Sequence, residues 1–205
     1  FRFLVVTDRH QTNGRPLVPL LQRVLSAAAP AIQLRERDLS ARELLILARE
    51  VQSVTASARS QLLINDRIDV ALALDGAGVH LRSNSLPVSV ARELLGAQRL
   101  LGISVHTVEE GLLAQSQGAD YIVLGPIYET PSKQMFGPPL GIHILEKACQ
   151  LIRIPIIGIG GVTAVRAREM RCAGAFGAAV ITAILAADDI ESATRELLEA
   201  VTLFP

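Results

Sequence analysis

The sequence predicts an α/β protein of the (β/α)8 barrel class, folded as one domain over residues 1–205. Three observations carry this expectation. Half of the 205 residues are hydrophobic but only 3 % are aromatic, so the apolar content is aliphatic, as strands buried on both faces require. Eight short aliphatic runs recur along the chain. Helical patterns lie between them, several with recognisable start and stop signals. Eight strands each followed by a helix point to a closed barrel of parallel strands, with a doubly wound open sheet as the alternative.

In chain order the strand-like runs are Phe3–Thr7, Ala31–Leu34, Gln61–Ile64, Gly78–His80, Leu100–Ser104, Tyr121–Gly125, Pro155–Ile159 and Gly177–Ile181. Each is short, aliphatic and nearly continuous. The segment from Ser40 to Ala58 reads as a helix that opens on a capping box, Ser40 with Glu43 three residues on, and spaces Leu44, Leu47, Ala48 and Val51 helically. The interval from Arg67 to Asp75 must supply the whole third helix, Arg67–Leu74, with Asp66 as an N-cap candidate. Val108–Gln117 ends at Gly118 and Ala164–Ala173 ends at Gly174, both in the position of a C-terminal glycine. Asp189 can cap a last helix through Leu203.

Composition excludes several function classes. Lys+Arg and Asp+Glu number 20 each and the net charge is zero, so no basic excess points to nucleic acid or to an anionic membrane. Trp is absent, which argues against base-stacking surfaces. The longest apolar run, Cys172–Ala187, is shorter than the roughly 20 residues a membrane span needs. The two cysteines, Cys149 and Cys172, read as core thiols of a reducing compartment. The expectation is a cytoplasmic protein with a small-molecule partner, no nucleic acid, no membrane, and a possible homodimer through Pro138–Pro139 and the aliphatic helices.

In a barrel of this kind, function sits at the C-terminal ends of the strands, and polar residues gather there. Gly160-Gly161 follows strand 7. Lacking Cβ atoms, these residues let backbone amides approach an anion. With the amides at Ile181 and Thr182 after strand 8 they suggest a phosphate cradle; a plain tight turn is the alternative. Thr130, Ser132 and Lys133 lie in a long loop after strand 6, of the kind that forms lids or binding loops, and suit phosphate oxygens. Gln33 and Arg35 share one face of strand 2 by the two-residue period. Arg35 could hold a phosphate or carboxylate, or pair internally with Asp8 or Asp66. Asn65 and Asp66 end strand 3, and Asp66 could hold Mg2+ or cap a helix. Ser104 and His106 end strand 5, and His106 is a candidate general acid/base. His80 reads as structural, and His10 and His143 as surface residues.

These motifs, in order, are Val6-Thr7-Asp8, Gln33-Leu34-Arg35-Glu36, Ile64-Asn65-Asp66-Arg67, Gly78-Val79-His80-Leu81, Gly102-Ile103-Ser104-Val105-His106, Gly118-Ala119-Asp120-Tyr121, Leu124-Gly125-Pro126-Ile127-Tyr128, Thr130-Pro131-Ser132-Lys133 and Ile159-Gly160-Gly161. Together they resemble the thiamine phosphate synthase superfamily over nearly the whole chain.

The resemblance implies a (β/α)8 barrel with one of two activities. A synthase joins hydroxymethylpyrimidine diphosphate to a thiazole phosphate with Mg2+ and loss of pyrophosphate. A thiazole tautomerase isomerises a thiazole carboxylate phosphate and needs no metal. Of the two metal-binding aspartates the synthase branch implies, one matches Asp66. The other falls in a Gly-Gln-x-Asp stretch that reads Arg82-Ser83-Asn84-Ser85 here, placing Ser85 at the aspartate. A hydroxyl is a poorer Mg2+ ligand than a carboxylate, and Arg82 adds positive charge beside the supposed metal.

With the loop tail Lys133–Gly141, this departure leads the sequence reading to the tautomerase branch: an isomerase without cofactor, with His106 moving the proton. In that reading Gly160, Gly161, Ile181 and Thr182 hold the phosphate, and Arg35 or Lys133 stabilises developing charge. The Mg2+ synthase, with Asp66 as metal ligand, and a non-catalytic thiazole-phosphate-binding regulator are the alternatives.

Overall fold

The structure, a computed structural model, describes residues 1–130 and 138–202. Its strands are β1 (Phe3–Val6), β2 (Ala31–Leu34), β3 (Leu62–Asn65), β4 (Gly78–Leu81), β5 (Leu101–Val105), β6 (Tyr121–Leu124), β7 (Ile156–Ile159) and β8 (Gly177–Val180). All pair in parallel, each with its sequence neighbour, and β8 returns to β1 to close the barrel. The open-sheet alternative is thereby excluded. Strand placement follows the aliphatic runs, with ends shifted by a residue. Thr7, Gly125 and Ile181 lie just beyond their strands, while β3 extends to Asn65, β4 to Leu81 and β5 to Val105.

The helices are α1 (Leu17–Ala27), α2 (Ala41–Ser57), α3 (Ile68–Leu72), α4 (Val88–Leu95), α5 (Val108–Ser116), α6 (Ile142–Leu151), α7 (Ala164–Cys172), α8 (Thr182–Leu185) and α9 (Ile190–Thr202). The capping box forms: Ser40 Oγ accepts the Glu43 amide, and the Glu43 carboxylate accepts from the Ser40 amide at 2.9 Å. Gly118 and Gly174 close α5 and α7 at φ +93° and +95°. Asp189 Oδ1 accepts the Ser192 amide at 2.9 Å and so caps α9; Leu203 lies outside the described residues.

One local expectation fails. Asp66 does not cap α3, whose N-cap is Arg67 with no side-chain hydrogen bond. Asp66 adopts φ +65°, and its carboxylate turns to Arg82 and Ser85 in the segment after the neighbouring strand β4.

Two-residue alternation splits the strands between two cores. Phe3, Val5, Ile32, Leu34, Ile64, Val79 and Leu81 face outward and pack under the helices. Leu4, Val6, Ala31, Leu63, Tyr121, Val123, Ile157 and Ala179 fill the barrel interior. Gly102 on β5 makes room for the Tyr121 ring, which a Cβ there would strike. Both cysteines carry free thiols, but neither is in the core as expected: Cys149 is half-buried and Cys172 exposed. Among the described residues, no helix is long and apolar enough to cross a membrane.

Candidate functional site

Inward-facing residues turn polar toward the C-terminal ends of β2 to β5. Gln33 is buried and its Nε2 donates to Asn65 Oδ1 at 3.0 Å. His80 is also buried, between Tyr121 Oη at 2.9 Å and Ser104 Oγ at 2.9 Å. Desolvation holds its imidazole neutral, with a pKa lowered to about 3. This bears out a structural His80. The other half of the mouth stays apolar, with Val123, Ile159 and Ile181 among the residues packed at the interior core. The strand ends thus present a floor that is hydrogen-bonding on one side and aliphatic on the other.

The loop after β2 is tied to the loop after β1 through Glu36. Its carboxylate accepts from Thr7 Oγ1 at 2.6 Å and from the Arg9 amide and Nη1 at 3.1 Å each. Arg9 also grips Asp38, which holds the Asp38 carboxyl far below its ordinary range. Thr7 Oγ1 in turn accepts the Arg35 amide at 2.9 Å. Arg35 lies 4.0 Å from Asp8, and its side chain is 20 % exposed. Burial lowers its pKa first, followed by the nearby charge of Arg37 and, more weakly, Arg82. Of the internal partners expected for Arg35, Asp8 is the one present, and its separation is at the limit of a salt bridge.

Asp66 is bound by residues of the segment after β4. Its Oδ2 accepts from Arg82 Nε at 2.9 Å and Nη2 at 2.5 Å. Its Oδ1 accepts from the Ser85 hydroxyl, and Ser85 Oγ accepts the Arg82 amide at 2.9 Å. A cavity of about 130 Å3 opens here, lined by Glu36, Arg37, Asn65, Asp66, Arg67 and Arg82 with Leu39 and Leu44.

Mg2+ asks for oxygen ligands in octahedral geometry at about 2.0–2.1 Å, usually one or two carboxylates plus substrate phosphates. The residues present do not fit that ion. Both Asp66 oxygens are engaged, one by a guanidinium, and no cluster of three His, Cys, Asp or Glu suited to a metal occurs among the described residues.

On the opposite side, Gly160 and Gly161 take φ +102° and +63°. A Cβ on Gly160 would meet Pro126 Cβ at 2.6 Å, and one on Gly161 would meet the Glu129 carbonyl at 2.5 Å. The glycines therefore serve close packing against the strand-6 loop, a requirement sequence reading did not foresee. Their carbonyls are engaged, Gly160 by the Tyr128 amide and Gly161 by Arg166 Nη1. The Ile181 and Thr182 carbonyls accept amides within the following turn. Thr130 is partly buried; Ser132 and Lys133 lie outside the described residues.

His106 donates Nδ1–H to the Gly125 carbonyl at 2.6 Å. A carbonyl can only accept, so the neutral ring carries its proton on Nδ1 and keeps Nε2 as an acceptor. The His106 amide donates to Glu110 Oε2 at 2.6 Å. His10 and His143 are exposed.

Sequence reasoning gave no role to three residues that organise the site. Glu36 and Arg37 follow Arg35 in the run of charges after β2. Tyr121, which buttresses His80, is one of only two tyrosines in an aromatic-poor chain.

Residues 3–184 match the family described as thiamine monophosphate synthase. A thiamine-phosphate synthase of Moorella thermoacetica is 41 % identical over 98 % of this chain and 95 % of that protein. One of Roseiflexus castenholzii is 41 % identical over 95 % of this chain and 86 % of that protein. The solved thiamine phosphate pyrophosphorylase of Pyrococcus furiosus superposes with a TM-score of 0.88 at 34 % identity, covering 98 % and 95 % of the two chains. These findings overturn the tautomerase expectation and, with it, the isomerase class. The sequence reading gave decisive weight to Arg82 and Ser85, two positions in one turn, whereas the identity to synthases extends over nearly the whole chain.

Proposed function

Since the chain belongs to the thiamine monophosphate synthase family, we propose that it is a transferase that makes thiamine phosphate from hydroxymethylpyrimidine diphosphate and a thiazole phosphate. The observation that carries this is the near full-length identity of about two residues in five to proteins named for that activity. In the reaction the thiazole nitrogen forms a C–N bond to the exocyclic methylene carbon of the pyrimidine. The C–O bond from that carbon to the diphosphate breaks, and diphosphate leaves with the bonding pair.

The site chemistry supports such a reaction. The hydrogen-bonding half of the floor, Gln33, Asn65 and Ser104, suits the nitrogen edge of an aminopyrimidine, and the aliphatic half suits a ring face. Holding two rings in register converts a bimolecular coupling into an oriented one. Guanidinium groups at Arg35 and Arg82 suit the charge on a leaving diphosphate. The amides of Gly160, Gly161, Ile181 and Thr182, with Thr130, Ser132 and Lys133, are assigned to the phosphate of the thiazole. The thiazole nitrogen attacks through its own lone pair, so coupling needs no base; His106 is assigned to substrate positioning through Nε2. Asp66, with both oxygens engaged by Arg82 and Ser85, is not arranged to take Mg2+. A cytoplasmic setting is part of this proposal.

The test is direct. The purified protein, given both substrates, is expected to form thiamine phosphate and diphosphate in equal amounts, followed by chromatography and a phosphate-release assay. Binding of the thiazole phosphate without product would show a ligand-binding protein instead.

A further inference from the structure

Asp66, Arg82 and Ser85 form a closed unit at the wall of the cavity after β2, β3 and β4. Arg82 spans Asp66 Oδ2 with Nε and Nη2, and Ser85 supplies a hydroxyl to Oδ1 while receiving the Arg82 amide. The unit holds the guanidinium in one place at the mouth, with 41 % of its side chain still exposed. The contacts to Asp66 use two of its five N–H groups. Arg37 and Arg67 line the same cavity, and the charges of Arg37 and Arg82 are both felt at Arg35. Its two acidic liners are already neutralised, Asp66 by Arg82 and Glu36 by Arg9.

A fixed guanidinium supplies what a bound cation would supply to a diphosphate: positive charge and directed contacts to adjacent oxygens. We propose that Arg82, held by Asp66 and Ser85, is a built-in cation that binds the diphosphate of the substrate in place of a metal ion, so that diphosphate recognition by this protein does not require Mg2+. The inference rests on the synthase reading and concerns how that same site takes its leaving group. It is carried by the juxtaposition of Asp66, Arg82 and Ser85.

The experiment is calorimetric titration of the whole protein with inorganic diphosphate, in EDTA and in Mg2+, with circular dichroism confirming that each variant is folded. Wild type is expected to bind in EDTA with an affinity within about threefold of that in Mg2+. Arg82→Ala should weaken binding in EDTA by about tenfold or more, the ordinary effect of losing a charged hydrogen-bonding partner. Arg82→Lys, which keeps the charge but not the fork, should fall between the two.

The double variant Arg82→Gly with Ser85→Asp supplies a second carboxylate and removes the guanidinium. It should lose binding in EDTA and regain it with Mg2+. Wild-type binding that appears only with Mg2+, or no binding in either buffer, overturns the proposal. So does Arg82→Ala binding unchanged in EDTA. Metal-free diphosphate binding by a protein that makes no thiamine phosphate would overturn the synthase reading and leave only Arg82 as a metal-free diphosphate site.

Discussion

His80 lies inside the barrel between two hydroxyls, Tyr121 Oη and Ser104 Oγ, each 2.9 Å away. One ring nitrogen donates and the other accepts, so the neutral ring is fully satisfied, whereas the charged ring would sit without a counter-charge. Its pKa accordingly drops to about 3, by desolvation. In the unfolded chain the imidazole titrates near its ordinary value of about 6.5. Between these values the unfolded state binds the extra proton, so stability declines as pH falls. The slope from this one group reaches about 1.4 kcal/mol per pH unit. Urea denaturation at pH 7, 6 and 5 should show that decline, and His80→Gln should flatten it; parallel profiles for the two proteins would refute the assignment. At the same scale, Gly160 shows why a Gly-Gly pair is ambiguous in sequence. The pair suited an anion cradle, but the Pro126 contact that demands glycine at position 160 is made to the loop after the neighbouring strand β6, 34 positions away in sequence.

At the level of elements, local chemistry was legible where the partners are close in sequence. The Ser40–Glu43 box formed as read, and its hydroxyl holds the Glu43 carboxyl below the usual range. Ser40→Ala should cost about 0.5–2 kcal/mol, within the usual range for a lost N-cap. Thermal unfolding should register that as a Tm lower by several degrees, at about 2–4 °C per kcal/mol for a chain of this size. Glycine stops behaved likewise at Gly118 and Gly174. Asp66 is the counterexample. A short helix follows it, and Asp is a favoured cap, yet the carboxylate turns to Arg82 and Ser85, 16 and 19 positions away. Nothing within a turn of Asp66 signals that choice.

For the whole molecule, closure of the barrel depends on the seam between β1 and β8. Phe3 pairs with Ala178 and Leu4 with Ala179, and a Cβ on Gly177 would run into the Arg2 carbonyl. That neighbour is backbone, so it yields only by moving β1. Gly177→Ala should therefore lower Tm by about 4–8 °C, corresponding to about 2 kcal/mol for a chain of this size. Gly76→Ala is a useful control: it also changes a glycine, but one with open space around it and a positive φ of 70°. It should cost only its local backbone strain. An unchanged Tm for Gly177→Ala would show that the seam adjusts freely.

Zero net charge is compatible with the proposed phosphate site because charge is arranged rather than accumulated. At the strand ends Arg9, Arg35 and Arg82 are set against Glu36, Asp8 and Asp66, and Arg37, Arg67 and Arg82 line a cavity there.

Eight aliphatic runs, spaced by helices, were enough to favour a (β/α)8 barrel and to mark the end at which polar side chains gather; closure itself was decided by the pairing of β8 with β1. Those patterns depend on period and burial, which neighbouring residues encode. The family was also legible, because its motifs span the chain in order. What Arg82 and Ser85 mean was decided only in three dimensions. As a sequence, their replacement of a glycine and an aspartate looked like the loss of a metal site and led toward the wrong reaction. Folded, they become the partners of Asp66. Such pairing is set by where β3 and β4 deliver their loops, since a carboxylate's partner depends on distance through space and only weakly on separation along the chain.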